Sequence, residues 1–216
     1  EYGLCEDEPF FEQPVAAYCS AFLVGPKTMV TAGHCVRDFS DCSDIKFVFD
    51  FKSVRAGQIK YKVPTSSIYS CKKVVKAVLN STGWGGDLND YAVLELDREV
   101  TDRKPLKFRK SGKIDDGAEL VLMGHPAELP LKIASGGYVR KNDNHIYFKA
   151  NVDSYGGNSG SAVFNADTGE VEGILVRGDV DFVKKGSCRI SNVCSEEGCL
   201  GETATRITNV KEIMHL

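Results

Sequence analysis

A hydroxyl that attacks a carbonyl needs a base beside it and N–H donors aimed at the oxygen that becomes negative. The stretch Val152-Asp153-Ser154-Tyr155-Gly156-Gly157-Asn158-Ser159-Gly160-Ser161 holds the right residue types in a row. Glycines admit backbone angles with φ > 0 and let another chain come close, so Ser159 can stand in a tight turn beside unused backbone N–H groups. Gly, Asn and Ser are also ordinary turn residues, and on this segment alone a hairpin turn and a nucleophile turn are equally good readings. Two further pieces shift the balance. Cys19-Ser20-Ala21-Phe22-Leu23-Val24, Gly25-Pro26 and Met29-Val30-Thr31-Ala32-Gly33-His34-Cys35 read as strand, turn and strand. They end on a histidine beside a cysteine that can pair back with Cys19. The third piece is Asn89-Asp90-Tyr91-Ala92-Val93-Leu94-Glu95-Leu96, where an aspartate opens a strand after a Gly-rich loop. Taken alone, His34 reads as a structural or surface histidine and Asp90 as a strand-end carboxylate.

The elements that must position these groups are strands. Candidates lie at 19–24, 28–32, 45–51, 58–63, 71–79 and 91–96, then at 118–123, 131–139, 145–150, 161–164, 171–176 and 203–208. They are rich in Val, Ile, Phe and Tyr and are separated by Gly, Pro, Asn or Ser clusters, the spacing of an all-β barrel or sandwich rather than of βαβ units. Asn165-Ala166-Asp167-Thr168-Gly169 is a strong hairpin turn. The reading divides the chain into an acidic N-terminal arm (1–14), a first β-barrel (15–100), a charged linker (101–117), a second β-barrel (118–208) and a short closing helix (209–216) with Asn209 as its N-cap.

Thr31-Ala32-Gly33-His34-Cys35, Asp90-Tyr91-Ala92-Val93-Leu94 and Gly157-Asn158-Ser159-Gly160 resemble the three signatures of the chymotrypsin/trypsin-like serine endopeptidases, in that family's order. The resemblance implies two Greek-key antiparallel β-barrels with the site in the cleft between them, a Cys19–Cys35 disulfide, and a catalytic triad of His34, Asp90 and Ser159. It places the oxyanion hole at the N–H groups of Gly157 and Ser159. Asp87 and Asp97 compete for the triad position, but the Asp-Tyr-Ala-Val-Leu context favours Asp90. His125, His145 and His215 match no catalytic motif and read as structural or exposed. The Gly-Asn-Ser-Gly-Ser form of the nucleophile motif is closer to bacterial members such as the glutamyl endopeptidases. Animal trypsins carry an aspartate where Asn158 stands, and Glu1-Tyr2-Gly3-Leu4 is not their apolar N-terminal motif, so their activation route is not expected.

The same alignment carries specificity. Asp153 and Ser154 fall at the base of the trypsin primary pocket, where a carboxylate matches an Arg or Lys side chain at P1. Val176-Arg177-Gly178 falls on the strand that binds substrate backbone, with Arg177 able to pair with Asp153 or touch the substrate. Glu202 falls on the far wall of the pocket. Glutamyl-specific relatives place a threonine and a histidine where Ser154 and Leu175 stand, which argues against an acidic P1. Tyr155 replaces the pocket-bridging cysteine of animal trypsins. The alternatives to cleavage after Arg or Lys are glutamyl specificity and a catalytically silent binding protein on a protease fold.

Composition sets the bounds. A chain of 216 residues, 42% hydrophobic and without a long apolar run, can bury one large all-β domain or two small barrels and has no apolar stretch to span a membrane. A net charge of −3 with both signs interspersed gives no basic stripe for nucleic acid. Eight cysteines without a C-x-x-C pair favour disulfides made in an oxidising compartment, hence a secreted or periplasmic protein. The cluster Cys188, Cys194 and Cys199 does not match zinc spacing and reads as local bridging, Cys188–Cys194 or Cys194–Cys199. Peptide or protein substrates, a monomer and no metal or cofactor are expected.

Overall fold

A computed structural model describes residues 2–216 apart from 37, 56–57, 60–61, 81–87 and 196–197. Asp87 and most of the Gly-rich loop expected before Asp90 therefore lie outside the described residues. The first half of the chain forms β1 (Phe22–Gly25), β2 (Thr28–Thr31), β3 (Lys46–Val48), β4 (Ser53–Arg55), β5 (Gln58–Ile59), β6 (Ile68–Leu79) and β7 (Asp90–Leu96). Five of these make a curled antiparallel sheet in the order β1-β2-β7-β6-β3, and β4 and β5 form a small ribbon. The second half forms β8 (Glu119–Gly124), β9 (Lys132–Lys141), β10 (Tyr147–Asn151), β11 (Ala162–Asn165), β12 (Val171–Arg177), β13 (Phe182–Lys185), β14 (Cys188–Ser191) and β15 (Glu202–Arg206). Six of them close a barrel, β10-β15-β12-β11-β8-β9, from which the β13–β14 ribbon stands apart. The all-β, double-barrel expectation holds.

Strand alternation explains how two barrels share one interface. Side chains two apart lie on one face of a strand and neighbours on opposite faces. On β7, Ala92, Leu94 and Leu96 enter the core of the first sheet, while Tyr91 and Val93 face the other way. On β12, Leu175 fills the second barrel, whereas Ile174 and Val176 point out of it. On β11, Val163 goes inward and Ala162 and Phe164 outward. The outward sets of both halves meet in a third cluster with Phe22, Val30, Phe108, Ile207 and Ile213. Strands buried on both faces read as continuous apolar runs, as Tyr91-Ala92-Val93-Leu94 does. Each large side chain so buried contributes about 1.5–3 kcal/mol, which fixes the relative placement of the halves.

The 101–117 stretch is fastened to both. Leu106 N–H donates to Leu23 O at 2.8 Å, Val171 N–H to Lys107 O at 2.9 Å, and Arg109 Nη2 to Glu172 Oε1 at 2.9 Å. The closing helix expected over 209–216 takes the form of two consecutive 3-10 turns, Ile207–Asn209 and Lys211–Ile213. Asn209 caps neither; its Nδ2 donates to Ile146 O at 2.8 Å, so the segment is held by β10's approach instead of by its own cap. The Asn165–Gly169 turn forms as expected, with Asn165 Oδ1 accepting from Asp167 N–H at 2.9 Å.

Candidate active site

His34 sits in a single 3-10 turn, Gly33–Cys35, directly after β2. The turn lies so close to the β6–β7 pair that a Cβ on Gly33 would come within 2.0 Å of Val78 O. Cys35 is disulfide-bonded to Cys19, which closes a loop that the chain-entropy account values at about 3 kcal/mol. Asp90, the first residue of β7, is 1% exposed. Its Oδ2 accepts from His34 Nδ1 at 2.8 Å and its Oδ1 from the His34 backbone N–H at 3.2 Å. A carboxylate can only accept, so the imidazole proton stands on Nδ1 and the Nε2 lone pair faces away from Asp90.

The nucleophile turn is built by docking onto the first half. Ser20 N–H donates to Ser159 O at 2.7 Å and Ser20 Oγ to Gly157 O at 2.9 Å. Cys35 Sγ lies 3.7 Å from Ser159 O. Gly160 has φ +88°, and a Cβ there would come within 2.1 Å of Ser20 O and 2.2 Å of Thr31 Oγ1. Only glycine fits. The backbone donors alternate. Asn158 N–H donates to Tyr155 O, Gly160 N–H to Leu175 O and Ser161 N–H to Asn158 O. Those of Gly157 and Ser159 donate to no group among the described residues. Asn158, 2% exposed, ties the turn from within: its Nδ2 donates to Ser154 Oγ at 3.3 Å and its Oδ1 accepts from Ser161 Oγ at 3.2 Å. Among the described residues Ser159 Oγ makes no hydrogen bond, so contact with His34 Nε2 is open in this state. Such contacts are often long in free hydrolases and tighten with substrate.

Beside the turn is a cavity of about 530 Å³ whose lining includes Asp153, Ser154, Tyr155, Asp179, Asp181 and Glu202. Glu202, at the start of β15, lies against Gly178, where a Cβ would meet both carboxylate oxygens at 2.4 Å. Burial pushes the Glu202 carboxyl up to about 8, helped by the charges of Asp181 and Asp179 and opposed in part by the Asp179 N–H and the Ser154 hydroxyl. Burial also raises Asp181, although Gly156 N–H donates to its Oδ2 at 2.8 Å. The cations on the lining are committed elsewhere: Lys132 Nζ donates to Gln13 Oε1 and Pro130 O, and Arg140 Nη1 to Cys199 O.

The N-terminal arm completes the wall. Leu4, Pro9 and Phe10 line the cavity, and Cys5 is bonded to Cys188 on β14. Arg189 N–H donates to Gly3 O and Cys5 N–H to Arg189 O, both at 2.9 Å. Phe182 stacks on Tyr155 and meets Tyr2 at a tilt, with ring centroids 5.2 and 5.3 Å away.

Sequence reading and geometry part at several positions. Asp153 is exposed, and Glu202 is the more enclosed carboxylate of the pocket. The 152–156 segment is irregular, so counting back from Ser159 does not fix which side chain faces in. Arg177 pairs with Asp90 instead of Asp153: its Nη2 lies 3.4 Å from Asp90 Oδ2. Val176 turns its side chain into the shared core, while Gly178 borders Glu202. Asp179 and Asp181 escaped the sequence reading, although two carboxylates two apart just after Gly178 share one side of an extended segment. Of the remaining cysteines, Cys42 pairs with Cys71 and Cys194 with Cys199.

The family model for the trypsin-like peptidase domain matches residues 19–174. The chain belongs to that family. This trypsin-like peptidase domain is 27% identical over 153 residues to a glutamyl endopeptidase of Bacillus licheniformis, covering 68% of this chain and 45% of the relative. It thus spans under half of that relative's length. Among solved structures, it is similar to a Glu endopeptidase in complex with MPD, with a TM-score of 0.60 and 15% identity over 91% of this chain and 83% of the other. It is also similar to an inactive Ser343Ala form of Rv3671c from M. tuberculosis H37Rv, with a TM-score of 0.51 and 14% identity over 90% and 78%. At those identities the likeness to the solved structures is one of fold.

Proposed function

We propose that this domain is a secreted serine endopeptidase that cleaves peptide bonds through an acyl-enzyme. The observation that carries this reading is the 2.8 Å hydrogen bond between His34 Nδ1 and the buried Asp90 Oδ2, which directs the basic Nε2 of the imidazole away from Asp90. Ser159 Oγ attacks the scissile carbonyl and passes its proton to His34 Nε2, and His34 returns it to the leaving amine. Asp90 holds the tautomer and offsets the positive charge that His34 acquires. The N–H groups of Gly157 and Ser159, left unused by the turn, receive the oxyanion, where loss of one donor typically costs ~10²–10³ in turnover. Four disulfides support folding in an oxidising compartment.

The pocket favours Arg or Lys at P1. Asp179, Asp181 and Glu202 line it beside the nucleophile turn, together with Asp153 and Glu8, and a cationic side chain among them would stabilise each charge. The second reading, cleavage after glutamate, is favoured by the named relative; here an acidic P1 would add a further carboxylate beside the enclosed Glu202 and Asp181, whose burial already disfavours negative charge.

The test is labelling with a fluorophosphonate, followed by mapping of the adduct and a fluorogenic P1 panel. Labelling of Ser159, none in Ser159→Ala, and preference for Arg or Lys over Glu and Phe are expected. An oxidised, folded protein that neither labels nor cleaves would be a binding protein on a peptidase fold, and preference for Glu would give the second reading.

A further inference from the structure

Arg177 is the last residue of β12, where the pairing with β15 slips between Leu175 and Arg177. The slip turns its side chain from the barrel toward the other half of the molecule. Its Nη2 reaches Asp90 Oδ2, the same oxygen that accepts from His34 Nδ1. Its Nη1 is buried with no hydrogen-bond partner among the described residues, so the contact with Asp90 is the one the guanidinium makes there. We propose that Arg177 is a positioning residue: it anchors Asp90 from the second barrel and keeps the His34 imidazole neutral in more acidic solution than the His34–Asp90 pair would by itself. The inference rests on the catalytic reading of that pair, but it concerns a charge and a proton that can be observed without turnover.

The physical argument is short. Protonated His34 gains from Asp90 and loses from Arg177, whose guanidinium is always charged. Arg177 also shares the acceptor oxygen and so weakens the hold of Asp90 on the imidazolium. Among the described residues, the charged groups that touch the pair are Asp90 from β7 and Arg177 from β12. The sulfurs of Cys19 and Cys35, which cluster with the His34 ring, are joined and do not titrate. Tyr91, next on β7, is pushed up to about 12 by burial and by Glu212, to which its hydroxyl is bonded, and stays neutral throughout. Removing the Arg177 charge therefore raises the proton affinity of His34.

The experiment is a proton NMR titration of the His34 ring in the oxidised protein, assigned by substitution, compared with Arg177→Met and Arg177→Lys. In Arg177→Met the His34 midpoint should move up by about half a unit to one unit, a discounted value for a partly exposed cation near an ion pair. The acid limb of kcat/KM should move with it, and Arg177→Lys should restore part of the shift. His145 and His215 serve as internal controls. A His34 midpoint that does not move in Arg177→Met overturns the proposal, even if the protein is an active peptidase. Should Arg177→Met fail to fold, Arg177→Gln carries the same prediction and the same refutation. A protein that never labels at Ser159 but shows the shift would sink the peptidase reading and leave the Arg177–Asp90–His34 coupling standing.

Discussion

Replacing Glu202 with glutamine should change both how well a basic P1 residue is accepted and how that acceptance varies with pH. In the free protein the Glu202 carboxyl is pushed up to about 8. At pH 7 roughly a tenth of the molecules therefore carry the charge that a P1 cation needs, a cost of about 1.4 kcal/mol for ionising the rest. Raising the pH from 7 to 9 should increase kcat/KM for a P1-Arg substrate about tenfold in the wild type, since kcat/KM reports ionisations of the free enzyme. Glu202→Gln keeps the shape beside Gly178 and Ser154 but removes the charge. Losing a charge-assisted contact in an enclosed pocket costs about 1.5–3 kcal/mol, or roughly 10- to 150-fold in kcat/KM at pH 9, where the wild type carries the charge, and about tenfold less at pH 7. A P1-Leu substrate should show neither the rise through pH 8 nor the loss. The assay is a pair of fluorogenic peptides differing only at P1, followed from pH 6 to 10 on both proteins. Coincident wild-type profiles for the two peptides, or full retention of P1-Arg preference in Glu202→Gln, would refute the reasoning.

Glu202 should also mark the stability curve. The folded state keeps this proton up to about pH 8, whereas an unfolded glutamate releases it near 4.5, so the wild type loses stability as pH rises between those values. Glu202→Gln escapes that loss and should exceed the wild type at pH 8 by about 4 kcal/mol, roughly 8–16 °C in Tm, and match it at pH 4; equal melting temperatures at pH 8 would contradict the burial argument. Gly160→Ala should cost about 3 kcal/mol or more in urea unfolding, because its Cβ would drive into Ser20 O and Thr31 Oγ1. Gly112→Ala, at φ +72° with open space around it, should cost only about 1 kcal/mol, and equal losses at the two sites would mean that the nucleophile turn is not docked as described.

What could be read from the chain, and what could not, follows from the range of the interactions. His34, Asp90 and Ser159 stand in local patterns whose reasons are local: a glycine where a turn meets a strand, an apolar run where a strand is buried on both faces. The β13–β14 ribbon was missed because Phe182-Val183-Lys184-Lys185 and Cys188-Arg189-Ile190-Ser191 have no buried face of their own. The ribbon stands on the arm, the Cys5–Cys188 bond and the Phe182 stack, all supplied from far along the chain. The partner of Arg177 depends on a slip in strand pairing, which changes the direction of a side chain without changing any residue type. Of the carboxylates on the cavity, the chain pointed to Asp153 and Glu202 but not to Asp179 or Asp181, and which of them is enclosed depends on how the irregular 152–156 segment lies against β15. Distance along the chain, and not residue chemistry, hid these features.

The Cys5–Cys188 bond joins residues 183 positions apart, and its place at the cavity rim separates two kinds of completion. Both barrels can gather their apolar faces without it, since neither partner contributes to the three main cores. The side of the cavity formed by Leu4, Pro9 and Phe10 is different: it is fastened there by a covalent link that forms only once thiols are oxidised. A chain whose thiols were still reduced would thus lack that covalent fastening, as it would the Cys19–Cys35 tie beside His34. That side of the cavity would take its final form only at the moment the protein met an oxidant.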